Sequence, residues 1–150
     1  RSITECNLIQ FKAAVEELSK NMVKTEGYSK DKTGYDTVLE SMQTALEFAE
    51  ITNYEYQVAK DGEKVVGVLL MQKDQNRYMI NDVISIAPGV GGALAKRGID
   101  VARETFPNSE VALISETEKS TEFWLKHGFI SNDPSKKRSV GMTLPPTKKD

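Results

Sequence analysis

The sequence contains one cysteine, Cys6, and one histidine, His127, in 150 residues. A single cysteine cannot form an internal disulfide, so nothing requires an oxidising compartment and we expect a cytoplasmic protein. Structural zinc sites take four Cys or His ligands, which these two residues cannot supply, and we expect no metal. A catalytic triad of the protease or esterase type would depend on His127 alone, which removes most of its support.

Long hydrophobic runs are also missing. The longest, Val65–Met71, is far shorter than the roughly 20 residues of a membrane-spanning helix, so we expect no membrane association. The sequence starts with Arg1 and shows no hydrophobic region of a signal peptide. A start without Met leaves open that the chain is one domain of a larger secreted effector or toxin.

A strong charge of one sign is absent too. The 20 basic and 22 acidic residues give a net charge of −2, which argues against broad nucleic-acid binding. The last residues are locally basic, and their charged side chains are Lys136, Lys137, Arg138, Lys148, Lys149 and Asp150. We interpret them as a solvated strand edge followed by a frayed tail at residues 145–150. The alternative is a patch for an anionic partner, such as a tRNA.

What is present is typical of a globular domain, and hydrophobic periodicity divides it into helices and strands. Apolar residues spaced by three and four, such as Leu8, Phe11 and Val15, predict helices, whereas alternation after residue 51 predicts strands. The dipeptide Asp61-Gly62 predicts a tight hairpin turn. Predicted helices cover residues 8–22, 38–49, 91–106 and 120–127. Predicted strands cover residues 54–58, 65–71, 78–86, 111–115, 129–130 and 139–144.

The polar segment 25–36 contains Gly27 and Gly34 and predicts a loop. Asp36 or Thr37 is the expected N-cap of the second helix.

The third predicted strand should place a set of alternating residues on one face. That set is Tyr78, Ile80, Asp82, Ile84 and Ile86.

This order of elements predicts an α/β fold, with residues 1–150 forming a single domain. Burial of the apolar faces requires a mixed sheet with helices on both faces. The strands joined by tight turns make this sheet largely antiparallel. The strand–helix–strand crossover from Met79 to Ser115 should be parallel and right-handed.

The segment 84–94, ISIAPGVGGAL, contains a cluster of glycines between a strand and a helix. Gly89, Gly91 and Gly92 allow several backbone N–H groups to point at one anion, and the helix dipole adds to the attraction. This chemistry suits a pyrophosphate; the alternative is a connector whose glycines permit close helix–sheet packing. No Lys-Ser/Thr follows, which excludes an ATP-type P-loop. A dinucleotide fingerprint fits poorly, because the glycines lie behind an antiparallel meander.

The order of elements, this segment and STEFWLKHGF at residues 120–129 together resemble the GNAT superfamily of N-acetyltransferases. The resemblance covers roughly residues 3–144. Ile86-Ala87-Pro88 resembles the end of the strand that precedes the family's pyrophosphate loop, and Gly89-Val90-Gly91 resembles the Gly-x-Gly that closes the loop. Leu94 matches the usual leucine of the following helix. Residues 124–129 resemble the family's second motif, an aromatic residue followed by Gly-Phe.

Two positions depart from the family pattern. The Gln or Arg that opens the loop motif is missing, because Pro88 runs directly into Gly89. The family's frequent tyrosine, which can protonate the departing thiolate, aligns with Trp124, and an indole N–H only donates hydrogen bonds and cannot act as that acid.

The resemblance implies where coenzyme A would bind. The backbone of Ile84, Ser85 and Ile86 would pair with the pantetheine arm as an extra strand does. The pyrophosphate would rest on the backbone N–H groups of Gly89, Val90, Gly91, Gly92 and Ala93, and its charge partner would be Lys96, Arg97 or Lys119.

The resemblance also implies a base for the acceptor amine, whose ordinary pKa is near ~10.4. Asp82 is our first candidate, because burial between Ile80 and Ile84 would raise the pKa of its carboxyl. The alternative is an Asp that accepts hydrogen bonds from nearby loops. Glu116 is the second candidate, with a helix N-terminal carboxylate as its alternative role. Trp124 completes the set of catalytic positions.

Tyr28 and Tyr35 lie in the predicted loop that would border the acceptor, where they could hold it or supply the missing hydroxyl; the alternative is two half-buried loop aromatics.

We read Cys6 as a small buried hydrophobic residue and His127 as structural.

The sequence therefore predicts an N-acetyltransferase that moves an acetyl group from acetyl-CoA to an amine by direct attack in a ternary complex. The acceptor is a protein, an aminoacyl-tRNA or a small molecule. The rival interpretation is a non-catalytic domain of the same fold that serves regulation or partner binding.

Overall fold

The computed structural model describes residues 1–147, so the predicted roles of Lys148, Lys149 and Asp150 in a basic tail lie outside the described residues. The strands are β1 (Ser2–Cys6), β2 (Tyr54–Asp61), β3 (Lys64–Asp74), β4 (Arg77–Ser85), β5 (Val111–Ser115), β6 (Ile130–Ser131) and β7 (Val140–Leu144). The helices are α1 (Leu8–Met22), α2 (Glu26–Lys30), α3 (Lys32–Leu46), α4 (Val90–Thr105) and α5 (Glu118–Lys126).

The strands form one sheet of order β1-β2-β3-β4-β5-β7-β6. All neighbours are antiparallel except β4 and β5, which α4 connects as a parallel pair. The predicted mixed, largely antiparallel sheet with one parallel crossover is therefore confirmed. Strand β1 was not predicted; it adds an edge strand by pairing with β2.

Helices cover both faces of the sheet, as predicted. On one face α1 and α3 pack on a core that includes Phe11, Leu18 and Met42. On the other face α4 and α5 pack on a core that includes Leu94 and Trp124. Alternate residues of β3 belong to the two cores, which explains the unbroken apolar run in the sequence.

The predicted loop at residues 25–36 is wrong. Thr25 caps α2 by accepting a hydrogen bond from the Tyr28 amide at 3.2 Å. Asp31 caps α3 by accepting from the Gly34 amide at 3.3 Å. The second long helix therefore begins at Lys32, ahead of the predicted caps, because capping side chains outweigh the two glycines of this segment.

The start of α4 packs unusually close to the sheet at Gly67. A Cβ on Gly67 would lie 2.6 Å from Val90 Cγ1 and 2.8 Å from Leu94 Cδ1, and both of these side chains are fully buried. The missing side chain in β3 thus brings the first turns of α4 against the sheet.

The prediction that one face of β4 carries Tyr78 through Ile86 is wrong because the strand contains a bulge. Leu70 pairs with Asp82 and Met71 pairs with Ile80, so Asn81 has no partner in β3. An extra residue reverses the alternation of side chains. Tyr78 and Ile80 accordingly pack on the α4 side. The remaining members do not share that face: Asp82 and Ile84 lie on the α1 and α3 side, and Ile86 contacts both cores.

Candidate active site

The bulge opens a cleft between β4 and β5. Pairing of the two strands ends at Ile80 and Leu113, although β4 continues to Ser85 and β5 to Ser115. A cavity of about 230 Å³ occupies the gap, with α3 on one side and α5 and the first turn of α4 on the other. The cleft therefore gives a ligand access to backbone groups in the middle of the sheet.

The backbone of β4 beyond the bulge faces alternately toward β3 and toward the cleft. The Ile86 amide donates to the Val66 carbonyl at 2.9 Å, inside the sheet. Because hydrogen-bonding residues alternate in an antiparallel pair, the amides and carbonyls of Val83 and Ser85 face the cleft. Of the predicted backbone ligands, Ser85 faces the cleft, whereas Ile84 and Ile86 face β3. Val83 was missed, because only the register shows which residues turn outward.

Asp82 projects into this cavity from β4 and is 7% exposed. Burial raises the pKa of its carboxyl to about 7; the negative charge of Glu116 raises it further, and a hydrogen bond from Ser41 opposes both. Ser41 Oγ, on α3, donates to Oδ2 of Asp82 at 3.3 Å. Asp82 thus exchanges a proton near neutral pH. No signal in the sequence marks Ser41, which reaches Asp82 only through the packing of α3 on β4.

Glu116 follows β5 and lines the same cavity from the opposite strand. Its carboxylate acts on Asp82 through space, so the structure brings the two predicted base candidates together. Asp31, the cap of α3, also lines the cavity and adds a third carboxylate. Lys119 lines it as well, and its Nζ lies 3.8 Å from Asp31 Oδ2.

The glycine loop, residues 87–93, leads into α4, and its Gly91 lines the cavity. Gly89 has φ +80° and is the N-cap, without a side chain that could satisfy the first amides. Val90 donates to the Ala87 carbonyl and Ala93 to the Gly89 carbonyl. The Gly91 and Gly92 amides find no carbonyl acceptor within residues 1–147. These two donors, together with the helix dipole, are the features that favour an anion.

Gly91 also fixes the shape of the cavity wall. A Cβ at this position would lie 2.9 Å from Ser85 Oγ and 3.4 Å from Phe123 Cε1. Ser85 Oγ therefore lies on the α4 face, opposite Asp82. A larger residue at position 91 would require the Ser85 hydroxyl to move.

Trp124 lies at the inner wall of the cavity and is 4% exposed. Its ring meets Phe123 and Phe129 edge to face, with centroids 4.8 and 5.1 Å apart. These contacts make Trp124 a packing residue of the α4 and α5 core. The indole offers no proton that could be transferred.

The two tyrosines of the predicted acceptor region differ in position. Tyr35 lines the cavity, and its hydroxyl donates to the Ser85 carbonyl at 3.4 Å. The Tyr28 hydroxyl instead donates to Asp36 at 3.0 Å, and Tyr28 is not among the residues that line the cavity. Only Tyr35 places a phenol at the cleft.

Within residues 1–147, no group of three or more His, Cys, Asp or Glu side chains is arranged to hold a metal ion. The helices of this same part of the chain include none that is long and apolar enough to cross a membrane.

No protein-family model and no curated protein matches the sequence. Solved structures match over nearly the whole chain. Tetrahymena GCN5 aligns with a TM-score of 0.68 at 12% identity, covering 100% of this chain and 99% of that one. An acetyltransferase of the GNAT family from Staphylococcus aureus Mu50 aligns with 0.65 at 16% identity, covering 96% and 98%. PaiA N-acetyltransferase from Thermoplasma acidophilum, in complex with coenzyme A, aligns with 0.62 at 13% identity, covering 97% and 99%. The chain therefore has the fold of the GNAT acetyltransferases, as the resemblance of its motifs predicted.

Proposed function

We propose that the protein transfers an acetyl group from acetyl-CoA to an amine. The observation that carries this proposal is the cleft between β4 and β5. It joins free amides of the α4 N-terminus at one end to a buried carboxylate, Asp82, at the other. The shared fold supports the same activity, since PaiA, one of the structures it resembles, was solved in complex with coenzyme A.

The cleft suits the two polar parts of the coenzyme. The amides of Gly91 and Gly92 and the positive end of the helix dipole favour its pyrophosphate. The outward backbone groups of Val83 and Ser85 suit the amide groups of its pantetheine arm, as an added strand would pair with β4. Bound in this way, acetyl-CoA supplies an activated acyl group as a thioester.

The acceptor amine must lose a proton before it attacks, because an alkyl ammonium has an ordinary pKa near ~10.4. Asp82, with its pKa raised to about 7, accepts this proton in its ionised form. The amine nitrogen then bonds to the carbonyl carbon of the thioester, and the carbon–sulfur bond breaks to release a thiolate. The nitrogen gives up a second proton to become the amide, which balances the proton that the thiolate takes up. The Val83 amide is our candidate donor to the developing oxyanion.

The thiolate needs a proton at the end of the reaction. Trp124 cannot supply it, although it occupies the position that resembles the family's tyrosine. Tyr35 is the phenol that lines the cavity, and we assign it this role. Its contact with the Ser85 carbonyl is 3.4 Å long, which is weak enough to be exchanged for a ligand.

The charge of the cavity indicates a cationic acceptor. The charged residues that line the cavity are three acidic ones and one basic one: Asp31, Asp82, Glu116 and Lys119. An acidic lining attracts ammonium groups and repels phosphates. A small amine or a lysine side chain therefore fits better than an aminoacyl-tRNA, which would have to use the exposed basic segment 136–138.

A thermal melt with acetyl-CoA, coenzyme A and ATP tests the proposal. A ligand at 100 times its dissociation constant stabilises the folded state by ~2.7 kcal/mol, which raises Tm by roughly 5–11 °C for a domain of this size. We expect a shift with the first two ligands and none with ATP. No shift at millimolar acetyl-CoA would overturn the proposal and favour the non-catalytic interpretation.

A further inference from the structure

We infer that Arg1 and His127 bind the coenzyme's pyrophosphate and together replace the missing basic residue of the glycine loop. This inference rests on the proposed function, because it assigns residues to the same coenzyme. The loop runs from Pro88 directly into Gly89 and so carries no cation of its own. Two side chains that are remote in sequence reach it instead.

Arg1 precedes the edge strand β1 and extends across the sheet to the loop. Its Nη1 donates to the Pro88 carbonyl at 3.0 Å, and a Cβ on Gly89 would lie 3.7 Å from the same nitrogen. Within residues 1–147 no carboxylate lies within 4.0 Å of this guanidinium. The remaining N–H groups of Arg1 are thus free to bind a phosphate beside the loop.

His127 reaches the same turn from the C-terminal end of α5. Its ring stacks on Phe123, with centroids 4.4 Å apart, and its Nδ1 donates to the Phe123 carbonyl at 2.9 Å. The other nitrogen, Nε2, lies 3.6 Å from where a Cβ of Gly92 would stand. The two contacts to Phe123 fix the ring, and Nε2 lies beside Gly92 at the start of α4.

The chemistry of the ring adds to the argument. A carbonyl only accepts, so Nδ1 carries a hydrogen. Nε2 can then donate to a phosphate oxygen only when the ring carries both protons and is a cation. In that form His127 supplies charge as well as a hydrogen bond to the pyrophosphate.

The lysines near the cleft are less suited to this role. Lys96 Nζ lies 2.9 Å from Asp100, one helical turn further along α4. Lys119 Nζ lies 3.8 Å from Asp31, on the acceptor side of the cavity. Each would have to leave a carboxylate before it could bind a phosphate, whereas Arg1 can keep its bond to the Pro88 carbonyl.

The experiment measures Kd for coenzyme A and for dephospho-coenzyme A, which keeps the pyrophosphate and lacks the 3′-phosphate. The variants are Arg1→Ala and His127→Phe; the second keeps the stacking on Phe123 and removes Nε2. Arg77→Ala is the matched control, because Arg77 lies at the opposite end of β4. We expect Arg1→Ala and His127→Phe each to weaken both ligands about tenfold, the size of one charge-assisted hydrogen bond, and Arg77→Ala to leave both unchanged.

The dependence of Kd on salt concentration is a measurement that a structural defect alone would not change. Raising NaCl from about 0.05 M to about 0.5 M should weaken wild-type binding, and the dependence should be shallower in Arg1→Ala. Variants that bind both ligands like wild type overturn the inference. A loss seen with coenzyme A but not with dephospho-coenzyme A also overturns it, because the contact would then be to the 3′-phosphate. Absence of wild-type binding overturns the proposed function, and the inference with it.

Discussion

Ile80 and Asp82 are two residues apart in β4 but lie on opposite faces of the sheet. The bulge at Asn81 causes both this reversal and the end of pairing with β5. One inserted residue therefore turns a carboxylate toward α3 and opens the cleft in which that carboxylate is useful. A regular strand would have directed Asp82 into the core beneath α4.

Replacing Asp82 by Asn should lower turnover by about a hundredfold or more, because the amide cannot accept the amine's proton. The wild-type rate should rise with pH through about 7, where the carboxyl ionises, and the variant should lose this limb. The measurement is thiol release from acetyl-CoA with a panel of amines at several pH values. Asp36→Asn, which changes a carboxylate bonded to Tyr28, serves as the control. A variant with an unchanged pH profile would contradict the assignment of Asp82 as the base.

The same substitution should change how stability depends on pH. Burial raises the pKa of Asp82 from 3.8 to about 7 in the folded state, so the folded protein binds a proton that the unfolded chain has released. Stability should therefore fall as pH rises from about 4 through about 7, by an amount on the order of 3 kcal/mol. Asp82→Asn should remove this part of the dependence. Urea unfolding at both ends of the range measures it, and equal slopes for the two proteins would refute the expectation.

Tyr35→Phe should reduce kcat about tenfold while leaving Tm nearly unchanged, because the lost hydroxyl contacts only a carbonyl at 3.4 Å. Tyr28→Phe removes the same atom from the neighbouring ring, whose centroid lies 6.1 Å away. The second variant should keep full activity. If both variants lose activity alike, a general disturbance of α2 and α3 is the better explanation.

Gly89→Ala and Gly62→Ala form a matched pair, since the two glycines have φ of +80° and +65°. Each substitution should destabilise the fold by roughly 1 kcal/mol, the cost of a side chain in the left-handed region. Only Gly89→Ala should weaken coenzyme binding, because it alone changes the direction of the α4 amides. Denaturation and coenzyme titration of both variants separate the two effects, and equal affinities would speak against the loop as a binding element.

Local signals in the sequence were sufficient for several elements of the fold. The predicted helix 8–22 coincides with α1 and the predicted strand 111–115 with β5. The predicted hairpin turn forms between Asp61 and Lys64, with Gly62 at positive φ. Each of these depends on spacing, capping or turn residues that lie within a few positions of one another.

Features that depend on a partner element could not be predicted in the same way. The bulge at Asn81 depends on how β4 pairs with β3. Simple alternation along the sequence assigned Asp82 to the face of Ile80, and the bulge interrupts that alternation. The burial of Asp82 was correctly expected. Of the two neighbours expected to bury it, however, Ile84 shares its face and Ile80 does not. Arg1 and His127 approach the glycine loop from opposite ends of the chain, and no spacing in the sequence connects them.

The geometry of the cleft depends on Gly67, although Gly67 is not among the residues that line it. Because Gly67 has no Cβ, the side chains of Val90 and Leu94 pack directly against its backbone. The height of α4 above the sheet therefore depends on the absence of one methyl group. An alanine there would lift the helix and carry the amides of Gly91 and Gly92 away from the end of β4. Displacements of about 1 Å can cost about a hundredfold in rate. The packing at Gly67 thus sets the distance between the amides of α4 and the carboxyl group of Asp82.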